Sequence, residues 1–445
     1  MNLLCISNGH GEDVIARRIL EPLRQQCPDI SLSALPISGT GSPYRTVDIP
    51  IIGPTQALPS GGFLNRDAKQ LARDVRGGLV ALTRSQLSAI KSWKKAHTQS
   101  DKTSPSIILA VGDIVPLLYA YHSGLPYYFV GTAKSEYWLR DERGKLPPQK
   151  LWHRLEGWSG AVYLPWERWL MARPRCCSVF VRDELTARYL KKFGISAIHA
   201  GNPMMDGLTP AGKLSELIKL LHSEAPPITS PPVSDRPDYP KAQALFLTPK
   251  PPQQPLTLAL IPGSRAPEAY ENWQKMLAAI PGLIDAFPQR SLILLAAIAP
   301  GLDLEKIKSD VIAHGATPNA GTYRWDNVAL ALVTDAFSDC LHEAEIAIAT
   351  AGTATEQFVG LGKPAVTLPG DGPQFTKAFA TVQAKMLGPS VQMVEHPQSV
   401  GSAIAQIMAD PDRLQLICRN GKHRMGEPGA GERIAQKMVA SLYDE

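Results

Sequence analysis

At 445 residues with 44% hydrophobic side chains, the chain is too long for a single ordinary core and long enough for two, so two domains are expected. A formal net charge of +5 without any dense Lys/Arg run argues against a nucleic-acid partner and suits phosphate ligands or an anionic membrane surface. Six scattered cysteines (Cys5, Cys27, Cys176, Cys177, Cys340, Cys418) form no C-x-x-C pair, and no His stands at zinc-finger spacing, which argues against a structural metal and predicts a reduced, cytoplasmic chain.

From the N-terminus, "NLLCIS" then "EDVIARRILEPLRQQ", "SIILAVG" then "VPLLYAYHSG", and "PYYFVG" alternate short apolar runs with amphipathic stretches. That rhythm belongs to βαβ units on a parallel sheet. The lead "MNLLCISNGHGED" lacks the basic start and apolar length of a signal peptide. The most apolar region, 106–131, is broken by Asp113, Pro116, His122, Gly124 and Pro126, so it predicts strand, helix and strand rather than a membrane span. Next comes a stretch, 136–175, holding five of the eight tryptophans (Trp138, Trp152, Trp158, Trp166, Trp169) among Arg and Lys. Trp with basic residues is the composition of an interfacial membrane patch, and the alternative is a packed insertion with its tryptophans in the core.

Residues 224–255 are crowded with proline and have no period, which predicts a connector. The rhythm resumes with "LTLALIPGS", "YENWQKMLAAIPGLIDAF", "RSLILLAAI", "AEIAIATAG", "TATEQFVGLG" and "KPAVTLPG". The expected organisation is therefore an N-terminal domain over 1–208, a linker over 209–256, a C-terminal domain over 257–425, and a terminal helix over 426–445 that packs back on the first domain.

Ligands of an open parallel sheet sit outside the carboxyl ends of its strands. There "IAIATAG" passes into a helix through Gly352, Thr353, Ala354 and Thr355, whose N–H groups and hydroxyls suit a phosphate. Glu356 follows in the first turn, placed either to accept from a ribose diol or merely to complement the helix dipole. "LIPGSR" brings Gly263, Ser264 and Arg265 to the same edge, where the Arg fork fits a diphosphate, and "TLPGDGPQF" brings Asp371 and Gln374.

With "HAGNPMMDGL" (199–208), these segments resemble the GT-B glycosyltransferases, and among them lipid-A-disaccharide synthase and its relatives, closer to a branch found in photosynthetic bacteria than to the synthase itself. The resemblance implies an α/β chain of two Rossmann-like, doubly wound parallel-sheet domains facing a cleft. It implies a nucleotide-sugar, a UDP-sugar, on the C-terminal domain and a lipid or lipid-linked acceptor on the N-terminal one, at the membrane surface and without cofactor. Residue by residue, Gly352, Thr353 and Thr355 would meet the diphosphate, Arg265 its phosphate end, Glu356 the ribose, and Gln374 the sugar hydroxyls. The acid that precedes this Gln in many relatives is Pro373 here, with Asp371 as the substitute.

Inverting transfer needs a base for the acceptor hydroxyl. His10, in the first βα loop, titrates near neutrality in its ordinary state; its bland reading is an exposed loop histidine. Asp113, after "IILAVG", is either that base or the N-cap of a helix from Val115. Asp113 orienting His10 would make a triad-like pair, with Glu12, Asp13 and Glu136 next in line. No Asp-x-Asp segment between strands asks for a metal. Two other readings stay open: a nucleotide-sugar 2-epimerase on the same frame, and a non-catalytic protein binding a sugar nucleotide or lipid.

Overall fold

The apolar runs become fully buried strands, as a sheet covered on both faces requires. A computed structural model describes residues 1–56, 78–100, 104–146, 159–223, 254–370, 372 and 375–443. The chain divides into two units, Met1–Asp206 with Gly426–Glu445, and Gly207–Met425.

In the first unit, β1 (Asn2–Ser7), β2 (Ser31–Pro36), β3 (Ser106–Gly112) and β4 (Tyr127–Gly131) are followed by a short hairpin, β5 (Arg140–Asp141) with β6 (Gly144–Lys145), and by β7 (Cys176–Val181) and β8 (Ala197–Ile198). The main sheet is parallel throughout, in the order β2-β1-β3-β4-β7-β8. Three helices bear on the site: α1 (His10–Gln26), α2 (Ile114–Ser123) and α3 (Pro165–Met171). α1 starts two residues earlier than its apolar period suggests, so His10 opens a helix instead of sitting in a loop.

The second unit begins earlier than the sequence suggests. α4 (Ser215–Ser223) lies within the expected linker, yet Leu214 and Leu221 are buried against Ile293, Leu295 and Ala331. The Asp339 carboxylate also accepts from the N–H groups of Ala211 and Lys213, at 3.1 and 3.0 Å. Its sheet contains β9 (Leu256–Ile261), β10 (Leu292–Ala297), β11 (Thr317–Asn319), β12 (Thr322–Trp325), β13 (Val328–Val333), β14 (Ile346–Ala349), β15 (Ala365–Thr367) and β16 (Val391–Met393). The order is β11-β12-β13-β10-β9-β14-β15-β16. β11, β12 and β13 pair antiparallel, which departs from the expected all-parallel sheet. The cause is local: Ala320 and Gly321 both take positive φ, the conformation a two-residue hairpin needs, and Asp326 takes it again before β13. The helices that matter are α5 (Glu268–Leu277), α6 (Phe337–Glu343), α7 (Thr353–Gly360) and α8 (Lys377–Leu387).

The last helix, α9 (Ala430–Tyr443), belongs to the first unit, where it packs along α1. Asp206 accepts from the N–H groups of Gly429, Ala430 and Gly431 at 2.6, 3.1 and 2.7 Å, satisfying donors that a helix start leaves open. Gly431 lies so near the Arg18 carbonyl that any Cβ there would clash.

Candidate functional site

In the second unit β9, β14 and β15 are neighbours, and the loops that follow them leave one carboxyl edge. After β14 the chain enters α7 through Gly352 with no side-chain cap, the condition in which a helix start binds an anion. Thr353 is exposed, and Gly352 and Ala354 are half-buried. After β9, Gly263 turns the chain at φ +104, and Ser264 and Arg265 are exposed.

Three buried polar side chains lace these loops together. Asn272 of α5 donates to the carbonyls of Pro262 (3.0 Å) and Thr350 (3.3 Å), tying the β9 loop to the β14 loop. Gln383 of α8 donates to the Gly352 carbonyl at 2.8 Å. Glu268 of α5 accepts from the Phe375 N–H in the loop after β15. Sequence reasoning missed all three, since a polar residue inside an amphipathic helix carries no sign of which loop it will meet.

Glu356 is buried in the first turn of α7. Thr355, expected at a diphosphate, is fully buried, and its hydroxyl donates its proton to the Ala351 carbonyl one turn back. Asp371 and Gln374 lie outside the described residues.

In the first unit the ends of β1, β3 and β4 stand side by side. Asp113 follows β3 as the N-cap of α2, its Oδ1 accepting from the Val115 N–H at 2.9 Å, so the capping reading is realised. The His10 side chain lies outside the described set. Beside them, Glu12 of α1 is buried and accepts from the Thr132 hydroxyl at 3.3 Å. Burial pushes its carboxyl up from 4.5 to about 7, the charges of Asp113 and Asp13 adding to the rise against a backbone hydrogen bond and the Thr132 hydroxyl. Burial likewise raises Asp13 to about 7, although Ser7 donates to it at 2.6 Å and Tyr44 in turn meets Ser7 at 2.5 Å. Glu136 is committed elsewhere, in a buried ion pair with Arg140 at 2.9 Å. Among the described residues no group of three His, Cys, Asp or Glu side chains is placed to hold a metal ion.

The chain matches solved structures over nearly its whole length. It is similar to the UDP co-structure of MnaA from S. aureus, with a TM-score of 0.55 and 15% identity over 100% of this chain and 97% of that one. CalG4, the calicheamicin glycosyltransferase, is matched at a TM-score of 0.53 and 15% identity, over 99% of this chain and 98% of that one. The chain has the GT-B fold. A putative UDP-N-acetylglucosamine 2-epimerase from Listeria monocytogenes shares it, at a TM-score of 0.53 and 13% identity over 100% of this chain and 97% of that one. No family profile and no curated protein matches the sequence.

On this GT-B frame the tryptophans divide. Trp138 is half-buried and packs against the core of the first unit. Trp152 and Trp158 lie outside the described residues. Trp166 and Trp169 of α3 are 55% and 46% exposed, and Phe193 is 42% exposed. Cations cover the rings, with Arg173 4.0 Å from Trp169 and Arg168 3.7 Å from Phe193, while Tyr121 meets Trp169 edge-on at 5.3 Å. No helix among the described residues is long and apolar enough to cross a membrane.

Proposed function

We propose that this GT-B chain is a glycosyltransferase that binds a UDP-sugar on its second unit and moves the sugar, with inversion, to a lipid or lipid-linked acceptor at the membrane surface. The observation that carries the reading is the uncapped start of α7 in a set of three laced strand-end loops that also includes the exposed Arg265, with Glu356 buried in the first turn. On this reading the N–H groups of Thr353 and Ala354 and the guanidinium of Arg265 meet the diphosphate, Glu356 the ribose, and Asp371 and Gln374 the sugar. Charge developing on the departing diphosphate is met by these groups, and no resident cofactor or metal is invoked. The reaction is of the kind resembled by lipid-A-disaccharide synthase relatives, with the donor sugar left open.

Glu356→Ala and Arg265→Ala are each expected to weaken UDP binding by about 1–3 kcal/mol, the range for a lost charge-assisted hydrogen bond. Calorimetry with UDP reads this directly, and unchanged affinity in both variants rejects the site. The likeness to an epimerase favours a second reading, in which the same donor site serves a 2-epimerase. Incubation with UDP-N-acetylglucosamine followed by NMR separates the two, because an epimerase makes the 2-epimer with no acceptor present.

The lipid side of the reading is supported by Trp166, Trp169 and Phe193, which are exposed on one unit with the half-buried Arg173 and Arg168 lying over the Trp169 and Phe193 rings, a mixture suited to anionic headgroups. The protein should sediment with anionic phosphatidylglycerol vesicles at low salt, less so as salt rises, and the Trp166→Ser/Trp169→Ser variant should sediment less. A wild-type protein that stays in the supernatant at low salt ends the membrane reading.

A further inference from the structure

The carboxyl ends of β1, β3 and β4 carry more chemistry than the sequence assigned to them. Asn8, the first residue after β1, is fully buried, and among the described residues neither its Nδ2 nor its Oδ1 has a hydrogen-bond partner. Its carboxamide lies against the end of β3: Gly112 has φ +139, and a Cβ there would come 2.9 Å from the Asn8 Cγ. From the first turn of α1, Glu12 reaches the Thr132 hydroxyl beyond β4. Asp113 lies close enough to Glu12 to raise its carboxyl. The residues thus come from three adjacent strand ends and meet over one edge.

We propose that Glu12 takes the proton of the acceptor and that Asn8 positions an acceptor rich in hydroxyls, a sugar or other polyol head; this rests on the glycosyl-transfer reading above. Two physical facts select the acceptor class. An unmet buried carboxamide is costly, and it needs both a donor and an acceptor, which hydroxyl groups supply together and a phosphate does not. The nearby carboxylates of Glu12, Asp13 and Asp113 accept from hydroxyls and repel phosphate. Arg182 approaches from beyond β4, and its guanidinium donates to the Thr132 carbonyl at 3.2 Å.

Glu12 is better placed for proton transfer than its neighbours. Its side-chain hydrogen bond, from the Thr132 hydroxyl, is 3.3 Å long, whereas Asp113 accepts from the Val115 N–H at 2.9 Å and Asp13 from Ser7 at 2.6 Å. The carboxyl of Glu12, pushed up to about 7, is basic enough to accept a proton from a hydroxyl in a transition state and is still partly ionised near neutrality. In the step, the acceptor oxygen forms a bond to the anomeric carbon while its proton passes to the Glu12 carboxylate. The bond from that carbon to the diphosphate oxygen breaks, its electron pair leaving with UDP.

The test measures UDP release from a panel of UDP-sugars with methyl glycosides as acceptors, and UDP affinity by calorimetry. Glu12→Gln should lower kcat by about 10²–10⁴-fold with UDP affinity and KM for the donor unchanged, and Glu12→Asp should recover part of the rate. Asp113→Asn and His10→Ala should each cost less. The wild-type rate should rise with pH through about 7, because the ionised carboxyl is the active form, and Glu12→Gln should flatten that rise. A pH limb that survives in Glu12→Gln belongs to Asp13, Asp113 or His10 and overturns the assignment, as does a Glu12→Gln enzyme with wild-type turnover. Ligand-observed NMR with the methyl glycosides supplies the second arm: binding by the wild type that is lost in a folded Asn8→Ala variant supports the acceptor class, and no glycoside binding by the wild type overturns it. A wild type that binds glycosides but no UDP-sugar instead sinks the transferase reading.

Discussion

A chain ended at Met425 will have a first unit that no longer unfolds cooperatively, even though the lost residues lie at the far end of the sequence from its sheet. α9 contributes Ala430, Ile434, Ala435 and Met438 to the core, each at most 1% exposed. Burying Ile and Met side chains stabilises by about 1.5–3 kcal/mol each, and the alanines add less. The Asp206 carboxylate loses three N–H partners as well, which costs about 1.5–3 kcal/mol for a charged acceptor. Together these are on the order of 5–10 kcal/mol, comparable with the whole net stability of a domain. Arg433, whose guanidinium holds the Ala200, Pro428 and Glu427 carbonyls, is lost in the same cut. Limited proteolysis and thermal unfolding check this: fragments of the second unit should survive while 1–206 is digested. Asp206→Ala, a milder lesion, should lower the midpoint without abolishing the transition. A truncated chain that melts like the full one would show α9 to be accessory.

Arg140→Ala is expected to destabilise the first unit by about 3–5 kcal/mol, because it strands a carboxylate inside the protein. Glu136 is fully buried; one oxygen accepts from the Arg140 Nε at 2.9 Å and the other from the Val162 N–H at 2.7 Å. Burial raises the Glu136 carboxyl even with the guanidinium beside it, so the charge is tolerated only through these partners. Arg140 also donates to the Gly160 carbonyl at 3.1 Å and stacks over the Tyr189 ring at 4.0 Å. At about 2–4 °C per kcal/mol for a domain of this size, the midpoint should fall by roughly 10 °C. The double variant Glu136→Gln/Arg140→Met removes both charges and should lose less than Arg140→Ala alone. Equal losses would mean that packing, rather than the unpaired charge, sets the cost. The same geometry removes Glu136 from the candidates for catalysis.

Much of the strand-end geometry of the second unit was legible in the sequence because it depends on short-range order. A strand that ends in Gly and Thr and runs into a helix with Glu in its first turn places those groups at a sheet edge wherever the sheet stands, and Gly352, Thr353 and Glu356 lie there. Legibility stopped at the hydroxyl of Thr355, since whether a helical Thr bonds backward to its own turn or outward to a ligand depends on the rotamer and not on the residue type. The capping role of Asp113 was readable from its neighbours, while the burial of Glu12 was not: it follows from Thr132 and Asp113 closing over it from two other strands.

By itself the sequence determined the α/β class, the two sheets and the strand-end loops, because period and turn chemistry act over a few residues. The antiparallel edge β11-β12-β13 escaped it, since strands of three and four residues are too short to show a period. Only the tertiary structure decided that Asp206 would cap a helix 224 residues further on, that Asn272 would join two loops, and that a neutral-range carboxyl would lie at Glu12. Each of these depends on pairwise distances between segments remote in the chain, and burial, the force behind the last, is a property of everything packed around a side chain rather than of the residues beside it in sequence.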